Sequence, residues 1–143
     1  MKPLLIVASP YYADIHAMLL AGAERVLKHG GYTYEVVLVP GALEIPAAIA
    51  IAHRSNHYSG YIALGCVIRG ETHHFDIVAN ESARGLMDLS VRECACIGNG
   101  ILTTENESQA ILRADPGQGD KGGEAAHAAI SLITHQSKRG VRA

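Results

Sequence analysis

The residues best suited to chemistry follow directly on an apolar run. Residues 60–68, Gly-Tyr-Ile-Ala-Leu-Gly-Cys-Val-Ile, precede the polar segment Arg-Gly-Glu-Thr-His-His at 69–74. Such a continuous apolar run predicts a strand buried on both faces. Beyond it, apolar residues recur at helical spacing from about Asp76 to Arg92, which predicts a helix. The polar segment therefore lies between a strand and a helix start, where open α/β sheets bind ligands and anions are favoured.

Glu44 and His74 are the two side chains that could transfer protons here. An imidazole can accept and return a proton near neutral pH. The alternative for either residue is a helix-capping or surface position. His73 is adjacent to His74, so the two rings point apart and only one is expected to face a site. The pair lacks the spacing and carboxylate support of a metal site, and no metal is expected.

A second candidate function of this segment is phosphate binding. Glu71 and Thr72 offer backbone N–H groups and a hydroxyl, but such a loop also needs a fixed cation. Arg113 and Lys121 flank a glycine-rich stretch and are the candidates, since a guanidinium can hold phosphate through two hydrogen bonds. The alternative is that both are solvated surface charges. Arg69 is closer in sequence, but the alternation of the strand directs its side chain elsewhere.

Strand-like and helix-like segments alternate along the whole chain. Strands are predicted at residues 3–8, 34–39, 60–68 and 94–103, and helices at 15–27, 43–54, 76–92, around 110–112 and 124–135. This order predicts a parallel sheet with helices on both faces and right-handed crossovers. The loops at 9–13, 40–44, 69–74 and 103–106 should then meet at one edge of the sheet. In the first loop, Tyr11 and Tyr12 offer an aromatic face to a planar ligand, although loop tyrosines often serve packing.

Length and composition restrict the classes of protein that need considering. The 143 residues suffice for one domain, residues 1–143, and the net charge of -2 without a basic run predicts no nucleic-acid or membrane-surface partner. No apolar run approaches the roughly eighteen residues of a membrane span, and no cleavage-site pattern follows the first strand, so a cytoplasmic location is expected. Cys66, Cys94 and Cys96 fit no zinc spacing and are predicted to be buried, reduced thiols in strands.

Several motifs together resemble the lumazine synthase family. They are Val-Pro-Gly-Ala-Leu-Glu-Ile-Pro at 39–46, Ala-Leu-Gly-Cys-Val-Ile-Arg-Gly-Glu-Thr at 63–72 with His74, Phe75 and Asp76, Leu-Thr-Thr-Glu-Asn at 102–106, Gln109-Ala110 with Arg113, and Lys121-Gly122. They occur in the family's order and at its spacings, and they cover nearly the whole chain.

The resemblance implies a fold and a reaction. The fold is a three-layer α/β/α sandwich with a four-stranded parallel sheet, flavodoxin-like. The reaction belongs to riboflavin biosynthesis: 5-amino-6-(D-ribitylamino)uracil condenses with 3,4-dihydroxy-2-butanone 4-phosphate to give 6,7-dimethyl-8-ribityllumazine, phosphate and two waters. It makes the protein a transferase that works without a cofactor.

The resemblance also implies roles for individual residues. His74 matches the family's general acid/base histidine, and Glu44 matches the carboxylate that meets the ribityl chain. The phosphate grip is Arg113 with the backbone of Glu71 and Thr72, and Lys121 matches a family lysine near Arg113. The remaining matches are the backbone of Ala42 and Leu43, which reads the pyrimidine ring, and Val67 and Ile68, which form the apolar wall.

The chain departs from the family pattern at two places. Pro10-Tyr11-Tyr12 replaces a common Arg-Phe-Asn-like triplet, and Tyr11 takes the ring-stacking role. Asn99 stands where many members have an aromatic residue donated across a subunit boundary. At this position the ligand ring would be held by hydrogen bonding or not at all.

The resemblance implies a homopentamer with active sites between subunits. One subunit would supply His74, Glu44 and Tyr11, and the next Asn99, Arg113 and Lys121. Because the chain begins almost at its first strand, a free pentamer is expected rather than a decamer or a sixty-subunit shell. Two other classes remain open: a flavin- or lumazine-binding protein without turnover, and a flavodoxin-like signalling or structural domain.

Overall fold

Strands and helices alternate through residues 1–141, the part of the chain that the structure, a computed structural model, describes. The strands are β1 (Leu4–Ala8), β2 (Tyr34–Leu38), β3 (Gly60–Ile68) and β4 (Ile97–Thr104). The helices are α1 (Ala13–His29), α2 (Ile45–Arg54), α3 (His74–Arg92), α4 (Glu107–Ala114) and α5 (Lys121–Arg139), and a 3-10 turn, Ala42–Glu44, precedes α2.

The four strands form one parallel sheet in the order β2-β1-β3-β4. Helices α1, α4 and α5 pack on one face of the sheet, and α2 and α3 pack on the other. The predicted three-layer α/β/α sandwich of the flavodoxin-like class is therefore confirmed. Within residues 1–141, no helix combines the length and the apolar character that crossing a membrane requires.

The central strand β3 is buried on both faces because its alternate residues enter two different cores. Ile62 and Leu64 pack with the α1, α4 and α5 layer, whereas Tyr61 and Ala63 pack with the α2 and α3 layer. Full burial of a large aliphatic side chain is worth about 1.5–3 kcal/mol, so this strand anchors the sheet. The carboxyl end of β3, which carries the polar segment 69–74, is therefore held in place by the packing on both faces of the strand.

Helix α5 lies very close to the sheet and to α1 because small residues line the contact. A Cβ atom at Gly98 would collide with the carbonyl group of Ala125, and one at Gly122 would collide with the carbonyl of Leu19. The helix also begins earlier than predicted, at Lys121 instead of Glu124, because Asp120 accepts a hydrogen bond from the Gly123 amide. Two glycines that predicted a loop thus lie inside the first helical turn.

The cysteine prediction is right in part. Cys66 lies in β3 and is half-buried, and Cys96 is buried just before β4. Cys94, however, is exposed and lies outside a strand, because its φ of 55° makes a left-handed turn that delays β4 to Ile97. All three are free thiols.

Alkylation should therefore distinguish these cysteines. Burial, followed by the nearby Glu107 carboxylate, raises the pKa of the Cys66 thiol to about 11, and burial also raises the pKa of Cys96. A thiol with a raised pKa is protonated below that value, so at pH 8 only about a thousandth of Cys66 is thiolate. We expect iodoacetamide to label Cys94 first, as read by peptide mass spectrometry. Faster labelling of Cys66 than of Cys94 would contradict the structure.

Candidate active site

The loops after β1, β2 and β3 enclose a cleft of about 490 Å³ at the carboxyl edge of the sheet. Parallel strands bring these loops together, as the sequence predicts. The lining residues are Ser9, Tyr11, Tyr12, Pro40, Gly41, Ala42, Leu43, Glu44, Cys66, Val67, Ile68, Gly70, Thr72, His74, Phe75 and Val78.

His74 is the first residue of α3 and lines this cleft. The helix begins two residues before the predicted start, and the His74 amide donates a hydrogen bond to Thr72 Oγ1 at 3.3 Å. This bond closes the turn that precedes the helix. The His73 side chain is 99% exposed and lies outside the cleft, with Nδ1 3.9 Å from an Asp76 carboxylate oxygen. The adjacent histidines therefore point in different directions, and the cleft receives one imidazole.

The corner between β2 and α2 forms a second wall of the cleft. Here the 3-10 turn carries Ala42, Leu43 and Glu44, and the Glu44 amide donates to the Gly41 carbonyl at 3.1 Å. Pro46 is tolerated because it falls in the first turn of α2, where its missing N–H group costs no helical hydrogen bond. The carboxylate of Glu44 is thus placed at the same edge of the sheet as the imidazole of His74.

The first loop is tied to this corner through Ser9, whose hydroxyl donates to the Pro40 carbonyl at 3.2 Å. Beyond Ser9, the rings of Tyr11 and Tyr12 meet edge to face with centroids 5.0 Å apart. Tyr11 is 76% exposed at the mouth of the cleft. Burial, then the nearby Cys66, raises the pKa of Tyr12, so its hydroxyl stays protonated at neutral pH. The apolar wall of the cleft comes from Val67 and Ile68.

Four of the residues proposed from the sequence do not line this cleft. Asn99 lies in β4 on the face of the sheet that α2 and α3 cover, and its side-chain oxygen accepts a hydrogen bond from the Ile101 amide at 2.9 Å. Arg113 lies in the last turn of α4, with Nη1 donating to the Gln109 carbonyl at 3.1 Å. Lys121 Nζ lies 3.2 Å from Glu124. Glu71 is exposed in the loop between β3 and α3.

Within a single chain, the cleft contains an imidazole and a carboxylate but no cation. None of its lining residues, all within the described part of the chain, is a lysine or an arginine. Residues 1–141 also contain no group of three or more His, Cys, Asp or Glu side chains placed to hold a metal ion. The arrangement can move protons beside an apolar, aromatic-lined space. Holding a phosphate would require a cation from elsewhere.

The sequence did not single out several residues that line the cleft. The most informative are Ser9, Cys66 and Phe75. Cys66 could have been found from strand alternation, because the cleft lies over the end of β3 and so meets both faces of that strand. Phe75 packs against the core beside α2 and α3 and lines the cleft at once.

Comparisons with known proteins show the family to which the chain belongs. The family model for 6,7-dimethyl-8-ribityllumazine synthase matches residues 2–137. The enzyme of that name from Novosphingobium aromaticivorans is 59% identical over 133 residues, which cover 93% of this chain and 95% of the relative. The one from Erythrobacter litoralis is 54% identical over 140 residues, or 98% and 99% of the two chains. A relative from Mesorhizobium japonicum, named 6,7-dimethyl-8-ribityllumazine synthase 1, is 53% identical and covers 97% of this chain and 88% of its own. The chain therefore belongs to the 6,7-dimethyl-8-ribityllumazine synthase family.

Proposed function

We propose that the cleft at the carboxyl edge of the sheet is where this family member condenses 5-amino-6-(D-ribitylamino)uracil with 3,4-dihydroxy-2-butanone 4-phosphate. The observation that carries the proposal is the convergence of His74, Glu44 and an apolar wall on one cleft, in a chain of this family. The products are 6,7-dimethyl-8-ribityllumazine, phosphate and two waters. The reaction makes the protein a cofactor-independent transferase of riboflavin biosynthesis.

His74 is the proton shuttle in this proposal. The 5-amino group attacks the ketone and water leaves, which forms an imine. Loss of a C3 proton and of phosphate from C4 then leaves an enol, which tautomerises to a new ketone at C3. Attack by the ribityl-bearing nitrogen on this ketone closes the ring with loss of a second water. Each step moves a proton, and an imidazole can both accept and return it. His74 lines the cleft from the start of α3 and is open to solvent, so it can exchange protons between steps.

Binding and orientation fall to the other cleft residues. The ring of Tyr11 stacks on the pyrimidine, whose edge is read by the backbone of Ala42 and Leu43. Val67 and Ile68 supply the apolar wall, and Glu44 accepts hydrogen bonds from the ribityl hydroxyls. Holding two reactants in one geometry removes much of the entropic barrier of their encounter, so orientation contributes a large share of the acceleration.

The phosphate is held by a neighbouring subunit of a homopentamer. Arg113, with Lys121 nearby, supplies the cation that the single-chain cleft lacks, together with the backbone of Glu71 and Thr72 from the first subunit. Asn99 of the neighbour faces the ligand ring. The exposed apolar side chains support subunit contacts, because Met87 and Val91 on α3 are 62% and 71% exposed. The expected assembly stops at the free pentamer, and the free thiols fit a cytoplasmic location.

Mixing two impaired variants tests both the reaction and the sharing of the site. His74→Ala and Arg113→Ala proteins are each assayed for product by absorbance, alone and after joint unfolding and refolding. If neighbours share a site, about a quarter of the interfaces in an equal mixture pair an intact His74 with an intact Arg113. At a concentration of the phosphate substrate below its wild-type KM, we expect the mixture to be more active than either variant alone. A wild-type protein that binds lumazine without making it would overturn the reaction, and a mixture no more active than its parts would overturn the shared site.

A further inference from the structure

Arg69 stands between two residues that line the cleft, Ile68 and Gly70, but does not line it itself. It is the residue after β3, and its backbone amide donates to the Thr104 carbonyl at 2.9 Å, which prolongs the pairing of β3 with β4. The position of its backbone is therefore fixed by the sheet. From there its side chain turns toward the start of α3 and not toward the cleft.

The Arg69 side chain joins three separate parts of the chain. Nε lies 2.6 Å from Glu105 Oε2 in the loop between β4 and α4, and Nη2 lies 3.5 Å from Asp76 Oδ1 in the first turn of α3. The guanidinium carbon sits 4.3 Å from the centre of the Phe75 ring, within the range of a cation–π contact. The planar fork of arginine suits several partners at once, which a lysine cannot match.

The first turn of α3 lacks a hydrogen bond from its N-cap side chain, that of His73. Phe75 and Asp76, the two residues that Arg69 contacts in α3, directly follow His74. Glu105 is itself held in place, since its amide donates to Gln109 Oε1 at 2.8 Å. A continuous series of contacts thus connects the sheet and the loop between β4 and α4 with the residues beside His74.

We propose that Arg69 is a positioning residue that sets the placement of His74 in the cleft by holding Phe75 and Asp76 against Glu105. The inference rests on the proposed function, because it assigns Arg69 a role only through the proton transfer of His74. Exposed ion pairs by themselves add little to stability. We therefore expect the loss of these contacts to change the position of His74 more than the melting temperature. A displacement of a reacting group by about 1 Å can cost as much as a hundredfold in rate.

Arg69→Met tests this role, with Arg84→Met as the matched control. Arg84 also pairs with two carboxylates, Glu81 at 2.6 Å and Asp88 at 3.0 Å, but on α3 away from the cleft. We expect Arg69→Met to lower kcat about tenfold or more while KM for both substrates changes less than about threefold. Arg69→Lys should fall between it and the wild type. Arg84→Met should retain wild-type kcat and KM, and both variants should melt at similar temperatures.

A double-mutant cycle with Glu105→Gln separates positioning from a general loss of structure. Glu105→Gln should also lower kcat, but by a smaller factor than Arg69→Met. The double variant should have a kcat no lower than that of Arg69→Met alone. Wild-type kcat in Arg69→Met, or a loss confined to KM for the phosphate substrate, would overturn the inference. If Arg69→Met does not fold, an unchanged kcat in Glu105→Gln overturns it instead. An inactive wild-type protein would contradict the proposed function itself, which distinguishes that outcome from a failure of the role proposed for Arg69.

Discussion

Replacing His74 with alanine is expected to lower kcat by about 10²- to 10⁴-fold, the usual contribution of a general acid/base. Product formation should continue at a reduced rate, because the substrates remain oriented by the rest of the cleft. KM for both substrates should change little, since the proposed role of the imidazole is to move protons. Steady-state kinetics at saturating concentrations of both substrates would measure the effect.

His73→Ala is the matched control for this experiment. His73 is the same residue type, one position away, with a side chain that points into solvent. The His73→Ala substitution should leave kcat within about twofold of wild type, because exposed side chains without buried partners usually tolerate replacement. Complete inactivity of His74→Ala with normal binding of both substrates would show that His74 contributes more than a proton shuttle. Equal losses in the two variants would remove the assignment to His74.

Replacing Arg113 with alanine should raise KM for the phosphate substrate by about ten- to a hundredfold, which corresponds to the loss of charged hydrogen bonds to one ligand. The effect should be specific to the butanone phosphate, because the pyrimidine substrate carries no phosphate. Arg113→Lys should raise KM less than Arg113→Ala, because lysine keeps the positive charge but cannot make the bidentate hydrogen bonds of arginine. Kinetics with each substrate varied in turn would give the two KM values.

Arg54→Ala provides the comparison for Arg113→Ala. Both arginines are exposed and lie in the last turn of a helix, α2 for Arg54 and α4 for Arg113. Removing either costs a similar favourable interaction with the helix carboxyl end. Only Arg113 is proposed to meet phosphate, so Arg54→Ala should keep wild-type KM. A rise in KM for the ribitylaminouracil as large as that for the phosphate substrate would contradict the proposed grip.

Much of the fold could be read from the sequence because each layer leaves a different pattern. The run at residues 60–68 matches β3 from end to end, since a strand covered on both faces must be apolar throughout. The boundaries that differ have local causes. Cys94 adopts a left-handed turn instead of extending β4, and Asp120 caps α5 ahead of two glycines that look like loop residues. Both are matters of local backbone geometry, which the apolar pattern does not encode.

The candidate site was predictable in part for the same reason. Parallel strands alternating with helices require that the loops holding Tyr11, Glu44 and His74 meet at one edge, whatever the details of the packing. The direction in which each side chain points does not follow from this rule. Only the structure shows that His74 lines the cleft while the side chain of His73 points to solvent.

Residue types and their spacing along the chain were enough to predict the succession of strands and helices, the edge of the sheet at which the cleft forms, and the family. The tertiary structure decided what spacing cannot encode. It placed Arg69 on Glu105, Asp76 and Phe75, and it kept Arg113 out of the cleft that contains His74. The physical reason is that side-chain contacts between distant segments arise only when the packed sheet brings those segments together.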